Sequence, residues 1–132
     1  MLLVALTACF WHSYGRAAAT HADLLVAMAR KGRDLVVNGR FSAESMPELT
    51  YPLERAEAFS HAALLRSGSD VPASVAAFQD LLAAYRGFVD TLDRVRRTDT
   101  GTAAESVLAE PLRKVEASRD AVHAALQAEG RL

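Results

Sequence analysis

The stretch VPASVAAFQDLLAAYRGFVDTLDRV, residues 71–95, decides the fold. Val71, Val75, Phe78, Leu82, Tyr85, Val89 and Leu92 alternate spacings of four and three without a slip. That repeat places them on one face of an α-helix. Leu81, Phe88 and Val95 widen the stripe. A stripe this broad belongs to a core-facing helix of a globular bundle, not to the narrow seam of a two-stranded coil. Ser69 or Asp70 is placed to cap it, and Pro72 suits a first turn. Arg94, Arg96 and Arg97 fall in the last turn, where they complement the helix dipole. The pattern predicts a helix ending at about Arg97.

Three further helices read outward from this one. THADLLVAMARKGRDLVVNG, residues 20–39, pairs Thr20 with Asp23 as a capping box, and Ala17 to Ala19 allow a backward extension. Leu25, Met28, Gly32, Leu35 and Val36 form its apolar face, and Asn38-Gly39 is a left-handed C-cap. The next helix begins with a weak turn at Ser45 and becomes regular near Thr50, because Pro47 and Pro52 each suit only a first turn. Leu53, Ala56, Phe59, Ala63 and Leu64 face inward, and Gly68 closes it. The last helix opens with a Thr102–Glu105 capping box and carries Val107, Leu108, Leu112, Val115, Val122 and Leu126. Pro111 predicts a kink near Val107, and Gly130 ends the helix.

Four helices with short connections imply an all-α, up-down-up-down four-helix bundle. The 132 residues suit one domain, and 51% hydrophobic content favours a packed core over disorder. A net charge of −1 lacks the basic excess of a nucleic-acid binder. The longest apolar run falls far below the ~20 residues of a membrane-spanning helix. Gly32 and Gly87 lie in helix interiors, where each costs ~1 kcal/mol relative to Ala and marks a possible close helix approach.

Leu2 to Ala8 is apolar apart from Thr7 and stops at Cys9, the only cysteine. Leu6-Thr7-Ala8-Cys9 resembles the lipobox of bacterial lipoprotein signal peptides. That resemblance implies removal of residues 1–8, lipidation of Cys9, and a location in the bacterial cell envelope. Residues 9–19 would then be a membrane-proximal segment, with Phe10, Trp11 and Tyr14 at headgroup level. Residues 20–132 would be the bundle domain, able to fold alone. The alternative is a helix that begins near Leu2, buries Cys9, and uses the same aromatic rings as core anchors. That alternative belongs to a cytoplasmic helical protein that self-associates through its apolar N-terminus.

Two constellations suggest ligands. His21, His61 and His123 map to one end of the bundle, with Glu57 one turn before His61 and Asp120 three residues before His123. Imidazole with carboxylate suits zinc or iron. Only Asp120-x-x-His123 approaches the Glu-x-x-His form of di-iron bundles, so three boundary histidines are the simpler reading. Met28 and His123 lie on neighbouring helices, and Arg119-Asp120-Ala121-Val122-His123 resembles the histidine run of four-helix b-type cytochromes. That resemblance implies haem held by Met28 and His123, with Phe59, Phe78 and Phe88 along its slot. The same phenylalanines fill a core equally well. Arg30, Lys31, Arg33, Arg40 and Arg94 to Arg97 read as a solvated face balanced by Glu44, Glu48, Asp93 and Asp99.

No nucleophile motif, phosphate loop or Cys/His metal signature is present. The sequence therefore predicts no enzyme and no resident cofactor. It predicts a lipid-anchored binding or structural module, whose partner is a membrane and whose protein partner is unspecified.

Overall fold

The computed structural model describes residues 2–132, with side chains from Cys9 onward. It is an all-α four-helix bundle: α1 Leu2–Val37, α2 Ser45–Ser67, α3 Ala73–Val95 and α4 Gly101–Ala128. Neighbours run antiparallel. On α1 and α4, Asp23 meets His123 and Arg30 meets Glu116. On α1 and α2, His21 meets Phe59 and Lys31 meets Glu48. The bundle is sheared rather than square. α1 contacts α3 across the diagonal, whereas α2 and α4 do not meet.

The shear follows from α1. Its core face is Tyr14, Ala18, Ala22, Leu25, Ala29, Gly32 and Val36. Small residues dominate that face, so the α1 backbone can approach its neighbours closely. A Cβ at Gly32 would stand 2.9 Å from Leu92 and 3.0 Å from Leu49. Met28 and Leu35, read as core from their size, lie half-buried on the flank of this face.

α1 also begins at Leu2, not near Thr20. Residues 9–19, read above as a segment outside the bundle, continue the helix and place Tyr14, Ala18 and Ala19 in the core. Phe10 and Trp11 pack against that core, while Cys9 is exposed. Met1, and the side chains of the 1–8 segment with Leu6, Thr7 and Ala8, lie outside the described residues. Because α1 runs unbroken through Thr20, Thr20 and Asp23 form no capping box. The Thr20 hydroxyl donates to the Arg16 carbonyl (2.9 Å), and Asp23 faces α4.

α3 buries Val75, Phe78, Leu82, Tyr85, Val89 and Leu92 as the spacing requires, and Leu81, Phe88 and Val95 with them. Val71 precedes the helix and is exposed. α2 is helical from Ser45, so Pro52 lies inside it, buried on the core side. Pro52 has no N–H for the Glu48 carbonyl. One residue further on, the Leu49 carbonyl accepts the buried Tyr85 hydroxyl (2.7 Å). α4 begins at Gly101 without a side-chain cap, so the Thr102–Glu105 box does not form. Ala104 takes the core place read for Val107, which is exposed.

Two glycines define opposite packing limits. A Cβ at Gly15 would overlap the Arg131 carbonyl, whereas a Cβ at Gly87 meets nothing within 4 Å. Gly87 therefore marks no crossing. Gly15→Ala is expected to destabilise the protein by about 1–3 kcal/mol through overpacking. Gly87→Ala is expected to stabilise it by about 0.5–1 kcal/mol through helix propensity. Urea denaturation of both variants checks the opposite signs.

Candidate functional site

The start of α1 and the end of α4 are joined by one polar cluster. The Glu129 carboxylate accepts from the Ser74 backbone N–H (2.8 Å), the Ser74 hydroxyl (2.7 Å) and Arg131 Nε (2.9 Å). It thereby caps α3 from another helix, where the dipole favours an anion. The Arg131 guanidinium lies over the Trp11 ring, 4.5 Å from its centroid. Tyr14 stacks on Phe59 (5.5 Å, 9°), and Phe59 meets Phe78 edge-on. Burial raises the Tyr14 phenol above its ordinary value, against the neighbouring Ser74 hydroxyl. The Tyr14 hydroxyl makes no hydrogen bond.

Beside this cluster a groove of about 870 Å³ opens between α1 and α2. α1 contributes His12, Arg16, Ala17, His21 and Leu24; α2 contributes Tyr51, Pro52 and Arg55; the chain end adds Arg131 and Leu132. Leu24, Tyr51 and Leu132 are among six large hydrophobic side chains exposed in the described residues, so half of that group borders one groove. No Asp or Glu side chain lines it. Arg131 pairs with Glu129 and Arg55 lies over the Tyr51 ring (5.9 Å). Arg16 and Arg55 have no ion-pair partner among the described residues.

His21 is half-buried against Phe59, with ring centroids 4.8 Å apart, and close to Phe78. Its pKa is lowered, first by burial and then by the Arg55 charge. His21 is therefore neutral at pH 7 and offers a hydrogen bond without adding to the positive charge.

The other histidines and carboxylates are not gathered here. His61 is exposed and lines a smaller cleft of about 290 Å³ between α2 and α3, where Glu57 pairs with Arg86 (3.2 Å). His123 lies 3.0 Å from Asp23, and Asp120 pairs with Arg119 (2.8 Å). α2 and α4 occupy the separated diagonal, which keeps His61 from His123. Among the described residues no three His, Cys, Asp or Glu side chains converge on a metal position.

Met28 and His123 do not share a level either. His123 faces Asp23, and Met28 lies five residues further along α1, about 7.5 Å at the helical rise. The basic face is partly compensated: Arg30 pairs with Glu116, Lys31 with Glu48, Arg33 with Asp34, and Arg96 and Arg97 with Asp93, while Arg40 and Arg94 have no ion-pair partner among the described residues.

Sequence reasoning singled out His21 but missed Arg16, Arg55 and Arg131 as a group. Their convergence depends on the extension of α1 back past Thr20 and on the return of the chain end to Gly15. Comparison with known protein families, with characterised proteins and with solved structures finds no match to this chain.

The lowered His21 pKa has a signed consequence. The unfolded chain takes up a proton near pH 6.5, and the folded state resists it. Stability is therefore lost as pH falls below about 6.5 toward the folded-state value. His21→Phe keeps an aromatic face against Phe59 and removes this titration. Urea midpoints at pH 7.5 and 5.0 should fall less in the variant than in the parent protein.

Proposed function

We propose that the protein is a non-catalytic binding module of the bacterial cell envelope, tethered by a lipid on Cys9 and presenting the α1/α2 groove to a ligand. The groove carries the binding half of this reading. It is concave, mostly apolar, and falls in the roughly 300–1,000 Å³ range of small-molecule sites. Its ionisable side chains are three arginines, two histidines and Tyr51, with no carboxylate side chain to serve as a paired acid or base.

Two features support the tether. Cys9 is exposed and completes the Leu6-Thr7-Ala8-Cys9 motif. A chain beginning at Cys9 keeps Tyr14, Ala18 and all later core residues. Among the described residues, no helix is long and apolar enough to cross a membrane. A diacylglyceryl group on Cys9 would supply the apolar attachment, with its strength set by the buried methylenes. Cys9 lies two residues ahead of Trp11, whose ring Arg131 covers, so a lipid on Cys9 would hold the groove near the membrane surface.

Intact mass of the product made in a host with lipoprotein machinery should show loss of residues 1–8 and an added diacylglycerol. A product retaining Met1 and a free thiol would overturn the tether and favour the helical N-terminus of a cytoplasmic protein. Truncation gives a second readout. A chain starting at Cys9 should melt within about 1 kcal/mol of the full protein. One starting at Thr20 loses Tyr14, Ala18 and Ala19 and should lose about 3–5 kcal/mol, the cost of deleting a large buried aromatic.

A further inference from the structure

We infer that the α1/α2 groove binds a single-chain anionic amphiphile as a free monomer, its head at Arg16 and its acyl chain along Leu24, Tyr51 and Pro52. This rests on the reading of the bundle as a binding module and names the ligand class for its groove.

The length of the groove, its mostly apolar lining and its arginines without a carboxylate side chain carry the inference. His12 and Leu24 are separated by about 18 Å along α1 at 1.5 Å per residue, so the groove is elongated. His12 and Arg16 stand toward the start of α1, and the Gly15–Arg131 approach brings the Arg131 guanidinium to that same end. Leu24 stands at the other end of the α1 wall. α2 runs antiparallel, with Phe59 at the level of His21 and Glu48 at the level of Lys31. Tyr51 and Pro52 therefore lie at the Leu24 end, with Arg55 between them and Phe59. Arg16 and Arg131 stand at one end, while at the other the apolar wall of Leu24, Tyr51 and Pro52 carries a single cation, Arg55, which lies over the Tyr51 ring (5.9 Å).

Charge and shape select among occupants. Arg16 has no ion-pair partner among the described residues, so its donors are open to an anion. None of the lining side chains is an Asp or Glu, so no carboxylate side chain competes for Arg16 within the groove. Concavity favours a monomer over a bilayer face. Ala17 and His21 are half-buried between the two helix walls, where a flat surface cannot reach them. Burial lowers the His21 pKa most and the Arg55 charge adds to it; an anion in the groove offsets the Arg55 part, so binding raises the His21 pKa.

The full chain is titrated calorimetrically, below micellar concentration, with dodecanoate, dodecyl phosphate, dodecanol and dodecyltrimethylammonium. His21 is followed by NMR. Dodecanoate or dodecyl phosphate should bind one-to-one, with the His21 pKa raised, and their ratio identifies carboxylate or phosphate as the preferred head. Arg16→Gln should weaken the anions about tenfold, the weight of one charge-assisted hydrogen bond, and leave dodecanol unchanged. Leu24→Asn should weaken anions and dodecanol alike. Both positions are exposed, and an unchanged helical circular dichroism spectrum shows that the variants fold.

Equal affinity for dodecyltrimethylammonium would overturn the anion inference and leave the binding module standing. Saturable binding of none of the four would overturn both. Binding to phosphatidylglycerol vesicles without monomer binding would overturn it in favour of a membrane-facing surface.

Discussion

The Glu129 carboxylate is the point on which three parts of the chain depend. It receives two hydrogen bonds from Ser74 at the start of α3 and one from Arg131 just past α4. Carboxylates at helix N-termini are favourable because the first N–H groups lack partners and the dipole is positive there. Here the cap comes from another helix, so α3 and α4 are locked in register by the same bonds that satisfy a helix end. The left-handed Gly130 (φ 69°) turns the chain back after α4, and Arg131 N–H bonds to the Leu126 carbonyl (2.8 Å). That turn sets Arg131 over Trp11 and its carbonyl against Gly15. The first turns of the described side chains are thus held by the last residues of the chain.

A second constraint is the uneven thickness of the four helices. α1 presents alanine and glycine to the core, whereas α3 presents Phe78, Leu81, Tyr85, Phe88 and Leu92. Large side chains from α3 fill the space that small ones on α1 leave, which conserves core volume. The consequence is a short α1–α3 diagonal and separated α2 and α4. Phe59 is caught at this boundary, half-buried between Tyr14, His21 and Phe78. Its ring backs His21, which lines the groove.

Much of this architecture is legible from residue spacing. α3 reads correctly almost residue by residue, because large apolar side chains at a regular interval leave few alternatives. α1 reads less well for the opposite reason. Leu25, Gly32 and Val36 are read correctly, but much of the core face is Ala18, Ala22 and Ala29, whose size carries little hydrophobic signal, so the larger Met28 and Leu35 draw attention to the flank. Capping patterns mislead at Thr20 and Thr102, where a hydroxyl followed by an acid sits inside a helix or just past its start. Thr20 instead bonds back to Arg16, a common outcome for a mid-helix threonine. Pro52 is the converse case, a proline inside a helix that spacing would place in a first turn. The groove was not legible at all. It is assembled from α1, α2 and the last two residues, and no spacing within one segment encodes that meeting.

Core packing and groove lining are divided around the circumference of α1. Tyr14, Ala18, Ala22 and Leu25 face the core, while Ser13, Arg16, Ala17, Thr20 and Leu24 line the groove. A helix turns 100° per residue, so these two sets interleave in sequence yet occupy different faces. The core set is sealed from water and holds the fold. The groove set is largely exposed and contributes little burial, so the exposed Leu24 and Tyr51 are not accounted for by packing. Their clustering beside unpaired arginines sets them apart from scattered surface hydrophobes, which need no explanation. The folded state leaves apolar surface and positive charge unsatisfied in one place, and an occupant that covers the first and neutralises the second gains from both.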